Sequence, residues 1–217
     1  MPSFAIIPAA PILVADVNLA ESARISELRA SIESQLAARA NWALPVRELP
    51  PLAGLGGLGI DRGIDTRTGE LLEGQEWVEA VAALDVLDRA ACESAHPATG
   101  VALLHAHATG VQVGPLGSSE HLLIPVDLSV AASEDAPLAP VPGAAEVDEQ
   151  LVQAITAGDA PAVAATIAVS DDAHADLELL DAAVTCMMAQ GISEYSFTTT
   201  FDEAVHDVRS LCGAGTY

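Results

Sequence analysis

The chain has no lysine, and its 8 basic residues, all arginine, are set against 31 aspartates and glutamates. The absence of lysine excludes enzymes that use a Schiff-base lysine and nucleotide-binding loops of the P-loop type. The net charge of -23 at pH 7 would repel nucleic-acid phosphates and anionic lipid surfaces. We therefore predict no nucleic-acid or membrane partner. A small molecule or another protein remains, including a second chain in a homo- or hetero-oligomer.

Cysteine is also scarce, since Cys92, Cys186 and Cys212 stand far apart and form no Cys-x-x-Cys pair. This spacing indicates neither a disulfide framework nor a zinc ribbon. No basic residue precedes Arg24 and no apolar run is long enough to cross a bilayer, so neither a signal peptide nor a transmembrane helix is predicted. We expect a cytoplasmic protein with reduced thiols.

Aromatic residues make up only 3% of a chain that is 51% hydrophobic, so the core must be built from Ala, Val, Leu and Ile. Such a core suits helices packed on a sheet. The 217 residues show no internal repeat. The sequence therefore predicts a single domain, 1–217, of three-layer α/β architecture, with a mostly parallel or mixed central sheet and helices on both faces.

The apolar run Phe4 to Val14 predicts a first strand buried on both faces, ended by Pro8 and Pro11. Loops at such strand ends carry the chemistry of many α/β proteins. Periodicity and breakers predict the remaining elements. They are a helix over 19–39 with an Asn18/Glu21 capping box, a strand over 44–49, a helix over 75–93, strands over 101–108 and 121–130, a loop over 131–142, a helix around 147–155, a helix capped by Asp159, a helix over 172–190 and a strand over 192–201.

The segment Gly54 to Gly59 matches the dinucleotide-binding pattern Gly-x-Gly-x-x-Gly letter for letter. That motif needs a strand directly before it and a helix beginning within it, whereas Pro50 and Pro51 precede this copy. A flexible glycine-rich connection, continued by a loop over 60–74, is the favoured interpretation. A cofactor loop is the alternative.

A local metal-binding pattern occurs at His105-Ala106-His107. If 101–108 is a strand, residues two apart face the same way and can offer two imidazoles to one ion. His121, at the start of the next predicted strand, could be a third ligand. No bound cofactor is the first expectation, and iron or zinc at these three histidines is the alternative. Otherwise they are hydrogen-bonded histidines at strand ends.

Three stretches together resemble a known family. Residues 8–16, Pro-Ala-Ala-Pro-Ile-Leu-Val-Ala-Asp, are similar to an early Pro-His-Pro-Pro-Leu-Leu-Val-Pro-Glu segment of the class III extradiol ring-cleavage dioxygenase superfamily, in its LigB-like branch that includes the Memo-like proteins. Residues 122–130, Leu-Leu-Ile-Pro-Val-Asp-Leu-Ser-Val, resemble that family's central strand ending in Gly-Asp-Leu-Ser-His. Residues 147–160 resemble its downstream helix and the Gly-Asp that follows.

The resemblance implies a fold and the loss of an activity. Family enzymes hold Fe(II) with two histidines and a carboxylate, but Ala9 stands at the first histidine's place and Val130 at that of an acid-base histidine. No histidine lies within residues 1–95, where the second iron ligand is expected. Asp127 and Ser129 match the motif and could contact a ligand, unless Asp127 only caps a turn.

We therefore expect a catalytically degenerate member of the family that binds a small ligand or a protein. The alternative is a metal-dependent oxidoreductase or hydrolase with a relocated site at His105 and His107. A thiolate pair of Cys92 and His96 is a weaker possibility, because Pro97 should carry His96 out of the helix.

Overall fold

The apolar amino-terminal run becomes the strand on which the central sheet is built. The computed structural model describes residues 1–17 and 22–217, without the side chain of Asp171. The β-strands of this part of the chain are β1 (Ser3–Pro8), β2 (Asn41–Ala43), β3 (Leu52–Gly54), β4 (Arg62–Asp65), β5 (Glu70–Glu73), β6 (Gln112–Gly114), β7 (His121–Val126), β8 (Ser196–Val205) and β9 (Val208–Thr216). The α-helices are α1 (Ala23–Ala37), α2 (Gln75–Ala83), α3 (Val86–Ser94), α4 (Pro97–Thr109), α5 (Ala144–Ala157), α6 (Ala160–Ile167) and α7 (Glu178–Ala189).

Six strands form the main sheet in the order β6-β2-β7-β1-β9-β8. The four strands from β6 to β1 run parallel, while β9 is antiparallel to both β1 and β8. β1 pairs with β7 along its whole length, from Ser3 opposite His121 to Pro8 opposite Val126. Their carboxyl ends therefore meet at one edge of the sheet.

Successive residues of β1 point to opposite faces of the main sheet, as strand geometry requires. Ala5 and Ile7 pack with α1 and α4, whereas Phe4 and Ile6 pack with α5, α6 and α7. Helices thus cover both faces, and the predicted three-layer α/β architecture with a mixed sheet is confirmed. The extent of a single domain over 1–217 stays a prediction.

The predicted strand over 101–108 is wrong, because these residues belong to α4. The helix lies between the main sheet and a small antiparallel sheet of order β3-β4-β5. Every residue from Ala98 to Ala106 is buried as a result. A helix buried on all sides has no polar face, so its sequence lacks the helical period and looks like an inner strand.

The small sheet also corrects the predicted loop over 60–74, which forms the hairpin of β4 and β5. α4 can pack this closely on β3 because residue 100 is a glycine. A Cβ atom at Gly100 would lie 2.9 Å from the backbone nitrogen and oxygen of Gly54. Contact between two backbones is thus the reason for a glycine in the middle of this helix.

Other predicted elements need smaller corrections. α1 begins at Ala23 with the Ser22 side chain as its cap, and the Asn18/Glu21 box lies outside the described residues. The predicted helix over 75–93 is two helices, because Asp85 caps a new one. The predicted strand over 44–49 is wrong, because these residues form an irregular segment after β2, and α7 starts at residue 178 instead of 172. The Asp159 cap of α6 and the late strand β8 are confirmed.

The described helices include none that is both long and apolar enough to cross a membrane.

Candidate functional site

Parallel strands β1, β2 and β7 all end at the same edge of the main sheet. The residue after β1 is Ala9 and the residue after β7 is Asp127, so the topology places two of the sequence-predicted positions side by side. Open α/β sheets bind ligands outside the carboxyl ends of their strands. This edge is therefore the expected position of a ligand site.

The Asp127 carboxylate is turned towards the loop that follows β1. Its Oδ1 accepts a hydrogen bond of 2.9 Å from the Ala9 backbone N–H, and the Ala10 N–H also donates to the carboxylate. Burial raises the pKa of Asp127 to about 6 despite these bonds, and the nearby Asp176 charge acts in the same direction. Asp127 therefore holds the loop and titrates close to neutral pH.

Asp176 meets Asp127 through the backbone. The Asp176 N–H donates to the Asp127 carbonyl at 2.8 Å, and the Asp127 N–H donates in return at 3.2 Å. This short bridge joins the end of β7 to the segment before α7, which lies almost fifty residues further along the chain. The side chain of Asp176 is thereby fixed beside Asp127.

His96 completes the cluster from the start of α4. Its Nε2 lies 3.0 Å from an Asp176 carboxylate oxygen and 3.8 Å from Glu178, while its Nδ1 accepts a bond of 3.3 Å from the Ala98 N–H and so caps the helix. The hydrogen bond to Asp176 holds the pKa of His96 above its usual value, against the opposing effect of burial. We call Asp127, Asp176 and His96 the carboxyl-edge site.

A cleft of about 380 Å³ opens beside the carboxyl-edge site. Its walls are residues 45–50 after β2, the junction of α3 and α4, and one face of α7. The polar side chains of its lining include Arg47, Glu48, His96, Thr99 and Glu178. A volume in this range suits a small molecule, and the mixture of donors and acceptors suits one with several polar groups.

Ala9 faces an apolar cluster at this edge. It is only 4% exposed and packs against Val46, Ala98 and Leu179. A methyl group in such a cluster offers no lone pair to a metal ion. Val130, which the resemblance places where the acid-base histidine would be, likewise has an apolar side chain, and its N–H donates to the His174 carbonyl at 3.4 Å.

Ser129 is fully buried, and both its N–H and its hydroxyl are engaged with protein. Its N–H donates to both oxygens of Asp148, at 3.0 and 3.2 Å, and its hydroxyl donates to the Ala173 carbonyl while accepting from the Ala131 N–H. Burial raises the pKa of Asp148. These contacts give Ser129 a role in joining α5 to the end of β7, away from solvent.

The three predicted metal-ligand histidines are placed apart. Residues two apart on a helix point in nearly opposite directions, and accordingly His105 is 3% exposed while His107 is exposed. His121 starts β7, at the end of the strand opposite to Asp127, and its Nδ1 shares a hydrogen bond of 2.9 Å with Ser3. The strand geometry on which the His105/His107 site depended is wrong.

His105 has an environment that favours the neutral imidazole. Its Nε2 is buried and has no hydrogen-bond partner among the described residues, and burial together with the Arg29 charge lowers the pKa of His105 to about 4. Within residues 1–17 and 22–217, no group of three or more His, Cys, Asp or Glu is arranged to hold a metal ion.

The glycine-rich segment contains a short 3-10 helix at Gly56–Leu58 and is followed by β4, so no α-helix begins within it. Cys92 and His96 have different partners: the Cys92 Sγ accepts a hydrogen bond of 3.4 Å from the Leu52 N–H, and His96 contacts Asp176.

Sequence reasoning missed the pairing of His96 with Asp176, which lies eighty positions away. The only local signal was the His-Pro start of α4.

No protein-family model and no curated protein matches this chain. The resemblance to ring-cleavage dioxygenases stays a prediction.

Proposed function

We propose that this protein binds a small molecule in the cleft beside the carboxyl-edge site, on a fold of the extradiol dioxygenase type that no longer carries out iron-dependent ring cleavage. The environment of Ala9 is the main support. A residue that would have to be an iron ligand is a buried methyl group packed on Val46, Ala98 and Leu179. Iron chemistry has no anchor at this position, while the cleft beside it remains open.

The polar groups of the cleft favour a ligand with neighbouring hydroxyl groups. The Glu178 carboxylate and the Thr99 hydroxyl can accept hydrogen bonds, and the Arg47 guanidinium can donate them. A catechol, the class of compound that the resemblance implies, fits this set of groups.

The test is a titration of the purified protein with catechol and with 3,4-dihydroxybenzoate, followed by NMR, with and without added Fe(II). We expect saturable binding in both cases and no uptake of dioxygen. Ala182→Trp should block the cleft, because Ala182 lines it from α7. Ala189→Trp, on an exposed position of the same helix, is the matched control.

Iron-dependent cleavage of either compound would overturn the loss of activity. Binding that survives Ala182→Trp would overturn the location, and the absence of binding would overturn the ligand class.

A protein partner is the second candidate, and one surface favours it. The adjacent side chains of Val86 and Leu87 at the start of α3 are 83% and 80% exposed. Large apolar side chains in this state are common at protein contacts. Light scattering of the wild type and of Val86→Ser/Leu87→Ser measures whether this position joins two copies or a different, co-purified chain.

A cytoplasmic location belongs to the same proposal. Its support is that Cys92, Cys186 and Cys212 are all free thiols, as is usual for proteins of a reducing compartment.

A further inference from the structure

A second and larger cavity, of about 540 Å³, lies between the small sheet and helices α2 and α3. Its lining is mostly apolar and includes Leu52, Leu55, Trp77, Val78, Val81 and Leu84. This volume falls in the range of small-molecule sites. We call it the Trp77 cavity.

Glycines create one wall of the Trp77 cavity. A Cβ atom at Gly63 would lie 2.3 Å from the Trp77 ring, and one at Gly54 or Gly56 would lie 2.8 Å from it. These glycines let the indole lie flat against the backbone of the small sheet. The glycine motif at residues 54–59, which matches a dinucleotide-binding loop in sequence, is thus the surface on which the Trp77 ring packs.

One positive charge reaches the Trp77 cavity. Arg89 of α3 lines it and is partly buried, and its Nη2 donates to the Val81 carbonyl at 2.9 Å, at the carboxyl end of α2. Among the residues that the structure describes, no carboxylate forms an ion pair with Arg89. Most of its donors are therefore unused by protein acceptors there.

Arg89 shares the lack of an ion pair among the described residues with Arg39 and Arg47, and of these three only Arg89 lines the Trp77 cavity. Within the described residues Arg24, Arg62, Arg67 and Arg209 each contact at least one carboxylate. The two acids that line the Trp77 cavity, Asp61 and Glu93, are exposed and solvated.

We propose that the Trp77 cavity binds a small apolar carboxylate, whose hydrocarbon or aromatic body contacts Trp77 and the leucine and valine side chains and whose carboxylate pairs with Arg89. The apolar body of the ligand would cover the apolar lining, and the favourable free energy of this burial scales with the area removed from water. A carboxylate satisfies the planar guanidinium with two parallel hydrogen bonds. This site is separate from the cleft of the proposed function.

The test compares 2-naphthoate with its neutral isostere 2-naphthamide by calorimetric titration. We expect wild-type protein to bind the carboxylate about tenfold more tightly or better, as a charge-assisted bidentate pair implies. Arg89→Gln should remove that preference and leave the affinity for the amide unchanged. Equal affinity of the wild type for both compounds, or an unchanged preference in Arg89→Gln, would overturn the proposal.

Two further measurements fix the location. Val78→Trp should block binding of both compounds because Val78 is 43% exposed at the cavity, whereas Val169→Trp, at a valine that is 68% exposed elsewhere, should not. In wild type, 2-naphthoate should slow alkylation of Cys92, which lines the cavity, but not of Cys186. Binding that is lost in Ala182→Trp instead would place the compound in the carboxyl-edge cleft and overturn this site alone.

Discussion

The carboxyl-edge site and the Trp77 cavity are built in opposite ways. The first is made of polar groups that backbone atoms hold in place, because the Ala9 and Ala98 N–H groups donate to the Asp127 and His96 side chains and backbone hydrogen bonds join Asp127 to Asp176. The Trp77 cavity depends on the absence of side chains, since three glycines leave the space that the Trp77 indole fills. A change of protonation should therefore perturb the carboxyl-edge site, whereas a change of side-chain volume should perturb the Trp77 cavity.

The largest effect should come from Trp77, whose side chain is only 6% exposed. Trp77→Ala leaves a void against the small sheet and should lower the free energy of unfolding by about 3–5 kcal/mol, measured with urea. Gly56→Ala should cost roughly 1–3 kcal/mol, because its Cβ would lie 2.8 Å from the indole nitrogen.

A double-mutant cycle tests whether contact with Trp77 is the reason for the cost of Gly56→Ala. The atoms that crowd a Cβ at Gly56 all belong to Trp77, so Gly56→Ala should be almost neutral in the Trp77→Ala background. Gly57→Ala is the control, because its Cβ meets nothing within 4 Å. Additive costs would show that Gly56 is required for its backbone conformation instead.

The next effect concerns Asp127 and pH. Its pKa rises from 3.8 in the unfolded chain to about 6 in the folded one, so the folded state binds the proton more tightly. The stability that this tighter proton binding contributes is present below pH 3.8 and is lost as the pH rises through 6. The free energy of unfolding should fall by about 3 kcal/mol at most over this range. Asp127→Asn should remove that part of the pH dependence.

Urea unfolding of wild type and Asp127→Asn at several pH values from 4 to 7 measures this difference. Asp61→Asn, at an exposed carboxylate, should keep the wild-type dependence. A variant profile parallel to the wild type would mean that Asp127 is ionised throughout and that the Ala9 and Ala10 N–H groups outweigh burial.

The smallest effect concerns His96. Because Asp176 raises the pKa of His96, Asp176→Asn should lower that pKa, and NMR titration of the imidazole measures the change. The associated stability is present below the unfolded pKa of 6.5 and is lost as the pH rises through the folded value. It should be under about 1 kcal/mol, since the Asp176 side chain is 40% exposed.

A wild-type pKa of His96 below 6.5 would contradict this expectation. It would mean that the Ala98 N–H, which points at Nδ1, and the positive end of α4 govern the imidazole.

The sequence predicts the layers of this fold better than its sites. β1, β7 and the carboxyl-terminal helices have clear apolar patterns and caps, which local physics determines. The sequence of α4 predicts a strand instead of a helix because burial between two sheets removes its amphipathic period. β9 could not be identified, since Gly213 and Gly215 are strand glycines that give room to the rings of Phe197 and Phe4.

The candidate site depends on contacts that no short window contains. Asp127 can be identified from the sequence because it lies in the short stretch 122–130 that resembles the family's motif, which is a local signal. His96 and Asp176 come together only when α4 and the segment before α7 pack at the same sheet edge. The glycine-rich motif at residues 54–59 is a local signal that suggests the wrong function. The same glycine pattern can leave room for a phosphate or for an indole ring, and here the ring of Trp77 occupies that room.

The chain's two tryptophans also give each sheet its own optical reporter. Trp42 lies in β2 of the main sheet, 2% exposed, with its indole nitrogen donating to the Leu36 carbonyl, whereas Trp77 lies on the small sheet. With Trp42→Phe, emission would report on the small sheet alone, and unmodified protein would report on both. Coincident fluorescence transitions would show that α4 makes the two sheets melt as one cooperative unit, and separate ones would show that the small sheet opens first.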